Sequence, residues 1–276
     1  MIPAGGVDLS TLSAFKAEKR HSVVRLLIIP FSLFIVWILE TYLLEGSADL
    51  FVHFQPPLFI LYTVFANIVV GIFIPVICFR SAFLSGAVNM FQAGFRSLRR
   101  TVSACALTAI FGYLYLITFT PAGADRFVPV NAIAFIIPPA VAEVMICWVL
   151  IGTHLQAYMR KGSAAISISL GVVVTAVLFG ISFAAHSPPL NRPDVIVLLC
   201  VIGAGAALFF FAVRDVYATV ICVACATVPV VLEGIDPVVI GVFMPSVYGA
   251  AALSLASLAG SLLYLSGNFR TIRVPV

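Results

Sequence analysis

The sequence predicts an all-α polytopic membrane protein, with about eight transmembrane helices in one bundle and both termini cytoplasmic. Three observations predict it. Hydrophobic residues make up 62% of the 276 residues and charged residues only 9%, with a mean hydropathy of +1.17, a composition outside the range of soluble domains. The apolar residues fall in long runs. The basic residues fall almost entirely on one side of those runs.

A helix crossing a hydrocarbon core of about 30 Å needs about 20 apolar residues. Such runs lie near residues 24 to 44, 57 to 79, 102 to 120, 129 to 153, 164 to 186, 195 to 213, 216 to 232 and 238 to 265. The first, "VVRLLIIPFSLFIVWILETYLL", starts too late and lacks the cleavage site of a signal peptide. Only Arg214 and Asp215 separate the sixth run from the seventh, which predicts a tight helical hairpin.

Lys and Arg collect in cytoplasmic loops. With the N-terminus inside, Lys16, Lys19, Arg20, Arg25, Arg80, Arg96, Arg99, Arg100, Arg160, Lys161, Arg214, Arg270 and Arg273 are cytoplasmic, and only Arg126 and Arg192 lie outside. Glu45, Asp49, Asp125, Asp194, Glu233 and Asp236 fall on the outer face. The net charge of +4 is therefore a dipolar pattern across a membrane and no signature of nucleic-acid binding. The expected localisation is the cell membrane, and the lipid bilayer is the first partner.

The chain reads as a single transmembrane domain over residues 1–276, opening with a basic arm at 1–23. Residues 81–100 read as an amphipathic surface helix, because Phe83, Leu84, Val88, Met90, Phe91 and Phe95 recur near helical spacing beside four arginines. Arg96, Arg99 and Arg100 would then face anionic headgroups or act only as an orientation signal. The six cysteines all lie in predicted spans, which argues against a disulfide framework. Cys222 and Cys225 form a CxxC with no histidine or carboxylate nearby, so they read as small buried hydrophobes; neither metal nor cofactor is expected. Small residues at four-residue spacing, Gly203 with Ala207 and Ala252 with Ala256 and Gly260, predict close helix contacts.

Polar residues at membrane depth carry the functional question, since an intramembrane ionisable group is a candidate site by default. Glu143 lies 17 residues before Arg160 and His186 lies 24 after Gly162, which at 1.5 Å per residue puts them about 25 and 36 Å from the inner boundary. Spans four and five are sequential and antiparallel, so the two groups are expected to approach each other in the outer half. Glu40 reaches a similar depth. Pro138 and Pro139 lack N–H groups and free the carbonyls of Ala134 and Phe135, which predicts a small polar cavity next to Glu143. Glu143 reads either as its functional acid or as a protonated structural lock between helices.

These residues resemble a family. "PPAVAEVMICW" on span four, "LFGISFAAHS" ending span five and "VRDVYATVICVACATVP" on span seven look like the motif regions of the CPBP family, the glutamic-type intramembrane proteases that include CAAX prenyl endopeptidases and bacteriocin-processing proteins. The resemblance implies that Glu143 matches the second glutamate of a Glu-Glu pair and His186 the span-five histidine, both catalytic. Ala142 stands where the first glutamate would be, and Cys147 or Trp148 where the arginine would be. The span-seven histidine and asparagine positions fall near Val223 and Thr227. Peptide hydrolysis needs a carboxylate base, a histidine partner and oxyanion donors. The expectation is a relative with incomplete catalytic motifs, at best a CAAX-type endopeptidase, that binds a membrane-embedded peptide or protein, with Glu40, Pro138, Pro139 and Thr227 lining the site. Two other readings stay open: a small proton-coupled transporter using Glu143, with Asn67 or Asn131 as further lining groups, and a non-catalytic subunit of a membrane complex. The three lysines lie outside the spans, which disfavours a retinal Schiff base; no histidine follows residue 186 to complete a cysteine transpeptidase.

Overall fold

The computed structural model describes residues 23–119, 127–159, 163–234, 240–242 and 244–270. Among the described residues, eight helices are long and apolar enough to cross a membrane: α1 (Arg25–Ala48), α2 (Pro56–Leu84), α3 (Leu98–Phe119), α4 (Phe127–Tyr158), α5 (Ala164–Ala185), α6 (Pro193–Val213), α7 (Val216–Glu233) and α8 (Pro245–Leu265). Among the described residues there is no strand, and the chain is a multi-pass integral membrane protein. The basic arm lies outside the described residues, apart from its last residue.

Their boundaries follow from local chemistry. Pro56, Pro193 and Pro245 open α2, α6 and α8, where a missing N–H costs nothing. Ser163 caps α5, its hydroxyl accepting from the Ile166 N–H at 3.2 Å. Two widened, π-helical stretches, Val24–Ile28 and Thr63–Phe73, come just before Pro30 and Pro75. A proline ring collides with the carbonyl four residues back, and the wide turn accommodates it. A third, Val144–Gly152, begins directly after Glu143.

The bundle is built around α4. In its most apolar stretch 89% of the residues are buried, against 11% in α3. α1, α2, α5, α7 and α8 pack on α4, while α3 lies outside them against α7. Large apolar side chains such as Ile77, Phe111 and Val201 point outward, as lipid-facing residues should.

α5 and α6 approach most closely through glycines. A Cβ on Gly180 would sit 2.2 Å from Cys200 Sγ and 2.8 Å from its backbone N, and one on Gly203 would sit 2.7 Å from Phe179 Cδ1. Gly180→Ala is expected to destabilise by about 1–3 kcal/mol through overpacking, seen as earlier thiol exposure in a thermal ramp with a cysteine-reactive dye. The other small-residue series behaves differently. Ala252, Ala256 and Gly260 are exposed, and a Cβ on Gly260 would touch nothing within 4 Å, so this stripe faces out of the bundle.

The expected surface helix at 81–100 is a correction. α2 ends at Leu84, α3 starts at Leu98, and turns lie between them. Gly86 and Gly94 adopt φ of 70° and 83°, a region closed to a continuing right-handed helix. Asn89 and Gln92 each accept the other's backbone N–H, at 2.8 and 3.1 Å, so the side-chain amides replace helical bonds. The apolar residues still turn inward: Val88, Ala93 and Phe95 are buried.

The α6–α7 connection holds this loop in place. Arg214 takes a φ of 54°, ending α6. Its guanidinium is buried, donating to the Gln92 carbonyl at 2.7 Å and to Gln156 Oε1 at 2.8 Å, with its carbon 4.8 Å from the Phe211 ring centre. Arg96 Nε donates back to the Arg214 carbonyl at 2.9 Å. Asp215 caps α7, accepting from the Ala218 N–H at 3.0 Å and from the Thr101 hydroxyl at 2.6 Å.

Candidate functional site

Four of the residues singled out from sequence line one cavity in the half of the bundle where α1 and α5 end. Glu143 and Pro139 of α4, His186 just after α5 and Thr227 of α7 share its wall with Phe51, Phe135 and Phe183. Its interior is about 20 Å³, room for about one water molecule. Glu143, His186 and Thr227 are each at most 2% exposed. No hydrogen bond joins Glu143 to His186; Glu143 Oε1 and His186 Nε2 are both buried without a partner.

His186 is positioned by a carboxylate that the charge pattern assigns to the outer face. Glu45, fully buried near the end of α1, brings Oε2 to 2.9 Å from His186 Nδ1, within ion-pair distance but out of line for a hydrogen bond. The Ser187 N–H donates to both Glu45 oxygens at 3.1 Å, and the Ser187 hydroxyl donates to Oε1. One carboxylate thus gathers three polar groups of the α5 end. The His186 ring lies between Phe51, stacked at 6.0 Å, and Phe183 at 5.0 Å. A signal for Glu45 was present in the adjacent run Leu50, Phe51 and Val52, which is too apolar for an open loop; Leu50 and Phe51 are buried.

Gly46 makes this contact possible. A Cβ there would stand 2.1 Å from the Ala185 carbonyl oxygen, so only glycine lets the α1 end reach the α5 end. Gly46→Ala is expected to push the two apart, separating Glu45 from Ser187. The check is amide hydrogen exchange across 183–190, which should accelerate at least tenfold.

The remaining predicted residues sit elsewhere. Glu40 is partly buried on α1 and does not line the cavity, and Pro138 is buried beside Pro139 without lining it. The carboxylate that α1 delivers to His186 is Glu45. Asn131 donates to the Ile240 carbonyl at 2.5 Å and accepts from the Tyr248 hydroxyl at 2.5 Å, tying α4 to α8. Asn67 is fully buried on α2 and donates weakly to the Tyr62 carbonyl at 3.5 Å. Cys222 and Cys225 are free, and among the described residues no three His, Cys, Asp or Glu side chains converge to hold a metal ion.

The cavity has a carboxyl and an imidazole among its lining residues, but the surface it exposes is apolar rather than the polar one expected, with little to stabilise an oxyanion. The Thr227 hydroxyl, the other polar side chain on the wall, donates to the Val223 carbonyl at 2.9 Å within its own helix. No protein-family model, no curated protein and no solved structure matches the chain.

Proposed function

We propose that this chain is a non-hydrolytic relative of the glutamic intramembrane proteases, which binds a membrane-embedded peptide or protein and does not cut it. The observation that carries this reading is the cavity wall opposite Glu143 and His186. There α7 contributes Thr227, whose hydroxyl is committed to Val223, and the apolar Val231. A tetrahedral intermediate needs donors aimed at its oxyanion, and each is worth about 3 kcal/mol of barrier. Ala142 supplies no second carboxylate, and the interior of about 20 Å³ admits no peptide bond with its flanking residues.

On this reading Glu143 and the Glu45–His186–Ser187 cluster close one end of the bundle. The charge pattern supports cytoplasmic termini: Arg80, Arg96, Arg99, Arg100 and Arg214 gather at one set of helix ends, and Glu45, Asp49, Asp194 and Glu233 at the other. The test is a terminal-peptide mass spectrometry survey of membranes from cells carrying the wild-type chain or Glu143→Gln. No new protein terminus should depend on Glu143. A set of cleavages present with the wild type and lost with the variant would make the chain a protease.

One observation favours a second reading, proton-coupled transport: two protonatable groups, Glu143 and His186, line the same cavity and carry buried atoms without a hydrogen-bond partner. Proteoliposomes with an internal pH dye distinguish it, because a carrier would leak protons with the wild type and not with Glu143→Gln.

A further inference from the structure

The opposite end of the bundle carries a second feature, which does not depend on the reading above. Because α3 stands away from the core, two apolar grooves flank it. One, of about 1160 Å³, runs between α3, α7, α4 and α8 past Val102, Ala109, Leu116, Ile137, Val220 and Ala259. The other, of about 760 Å³, lies between α3, α6 and α7. Both lead to one basic recess of about 440 Å³ lined by Arg96, Ser97, Arg99 and Arg100. The recess shares Arg96 and Ser97 with the first groove and Ala104 and Val213 with the second.

We propose that this composite site binds one anionic two-chain glycerophospholipid, with its phosphate in the arginine recess and one acyl chain in each groove. Charge complementarity selects the occupant. Arg96, Arg99 and Arg100 outnumber Asp215, the one carboxylate among the residues that line the recess, whose oxygens accept from the Thr101 hydroxyl and the Ala218 N–H. None of the three arginines forms an ion pair with a described carboxylate, so the recess carries a net positive charge. Arg96 is held in place, its Nε bonded to the Arg214 carbonyl and its guanidinium 4.3 Å above the Phe91 ring, which leaves its terminal nitrogens to meet a phosphate. From Leu98 to Leu116 the first groove follows α3 for about 27 Å, most of a hydrocarbon core of about 30 Å. An acyl chain fits along it.

Native mass spectrometry of the delipidated full chain, titrated with phosphatidylglycerol or with phosphatidylcholine of the same chains, tests this. The expected result is one phosphatidylglycerol held at least tenfold more tightly than phosphatidylcholine. Arg96→Gln with Arg100→Gln should remove that preference, and Arg192→Gln at the other end should leave it intact. Ala109→Trp and Gly205→Trp fill the first and second groove from exposed positions, a Cβ on Gly205 meeting nothing within 4 Å, and each should weaken binding about fivefold with the arginines untouched. Equal retention of the two lipids overturns the proposal. So does a preference that survives both tryptophans, which would be diffuse attraction to a basic surface. Displacement of the lipid by millimolar glycerol phosphate would reduce the site to one for a soluble anion and overturn it as well.

Discussion

Glu45→Ala lowers the unfolding midpoint by about 10 °C, the largest effect expected of any single change in the Glu45–His186–Ser187 cluster. The Ser187 N–H and hydroxyl lose their acceptor, and His186 Nδ1 loses its 2.9 Å neighbour. All of these are buried. A buried donor left unpaired costs about 1–3 kcal/mol and two are left at Ser187, so a total of about 2–6 kcal/mol is expected, at about 2–4 °C per kcal/mol in a chain approaching this size. Glu45→Gln keeps one oxygen acceptor and should lose about half as much. Glu40→Ala, on the same helix but away from the cavity and with an Oε2 that has no hydrogen-bond partner to lose, should change little. Trp37 and Trp148 are both fully buried, so intrinsic fluorescence in detergent reads all three transitions.

The second large effect is at the other end. Arg214→Ala leaves the Gln92 carbonyl and Gln156 Oε1 without their donor and strips the stacking on Phe210 and Phe211. Burial, and then the neighbouring Arg96, pull the Arg214 guanidinium down to about 10, which still leaves it cationic at neutral pH. Losing it should cost about 2–4 kcal/mol and release the 85–97 loop, seen as faster amide exchange there while 183–190 stays protected. Arg214→Lys should not rescue, because an ammonium on a flexible stem does not reproduce the planar fork that reaches both acceptors. If the loop stays protected in Arg214→Ala, the glycine turns and the Asn89–Gln92 bonds alone hold it.

The spans were legible in the sequence because hydropathy over twenty residues is a strong, additive signal, and the eight helices fall on the eight apolar runs within a few residues except at the C-terminal ends of α2 and α4 and the start of α8. The meeting of Glu143 and His186 on one cavity was legible from connectivity, since α4 and α5 are consecutive and antiparallel. Glu45 was not. The first apolar run ends at residue 44 and leaves Glu45 among the charges beyond it, and only the tertiary contact admitted by Gly46 lets the end of α1 turn that carboxylate inward. The 81–100 stretch misled for a related reason: its apolar spacing is real, and Val88 and Phe95 are buried, but two glycines at positive φ fold the chain back before a helix can form. Periodicity records which residues are buried without recording the path between them. The outward-facing stripe of Ala252, Ala256 and Gly260 shows the same limit, since small residues permit close packing without requiring it.

The central claim is that Glu45 and His186 act as one lock holding the ends of α1 and α5 together. A double-mutant cycle measures this directly, comparing Glu45→Ala, His186→Ala and the double variant by equilibrium stability in the same detergent. The two losses should fail to add, the double variant being more stable than their sum by about 1–3 kcal/mol. Additivity within about 0.5 kcal/mol would mean that the two side chains do not hold each other, and would contradict the lock.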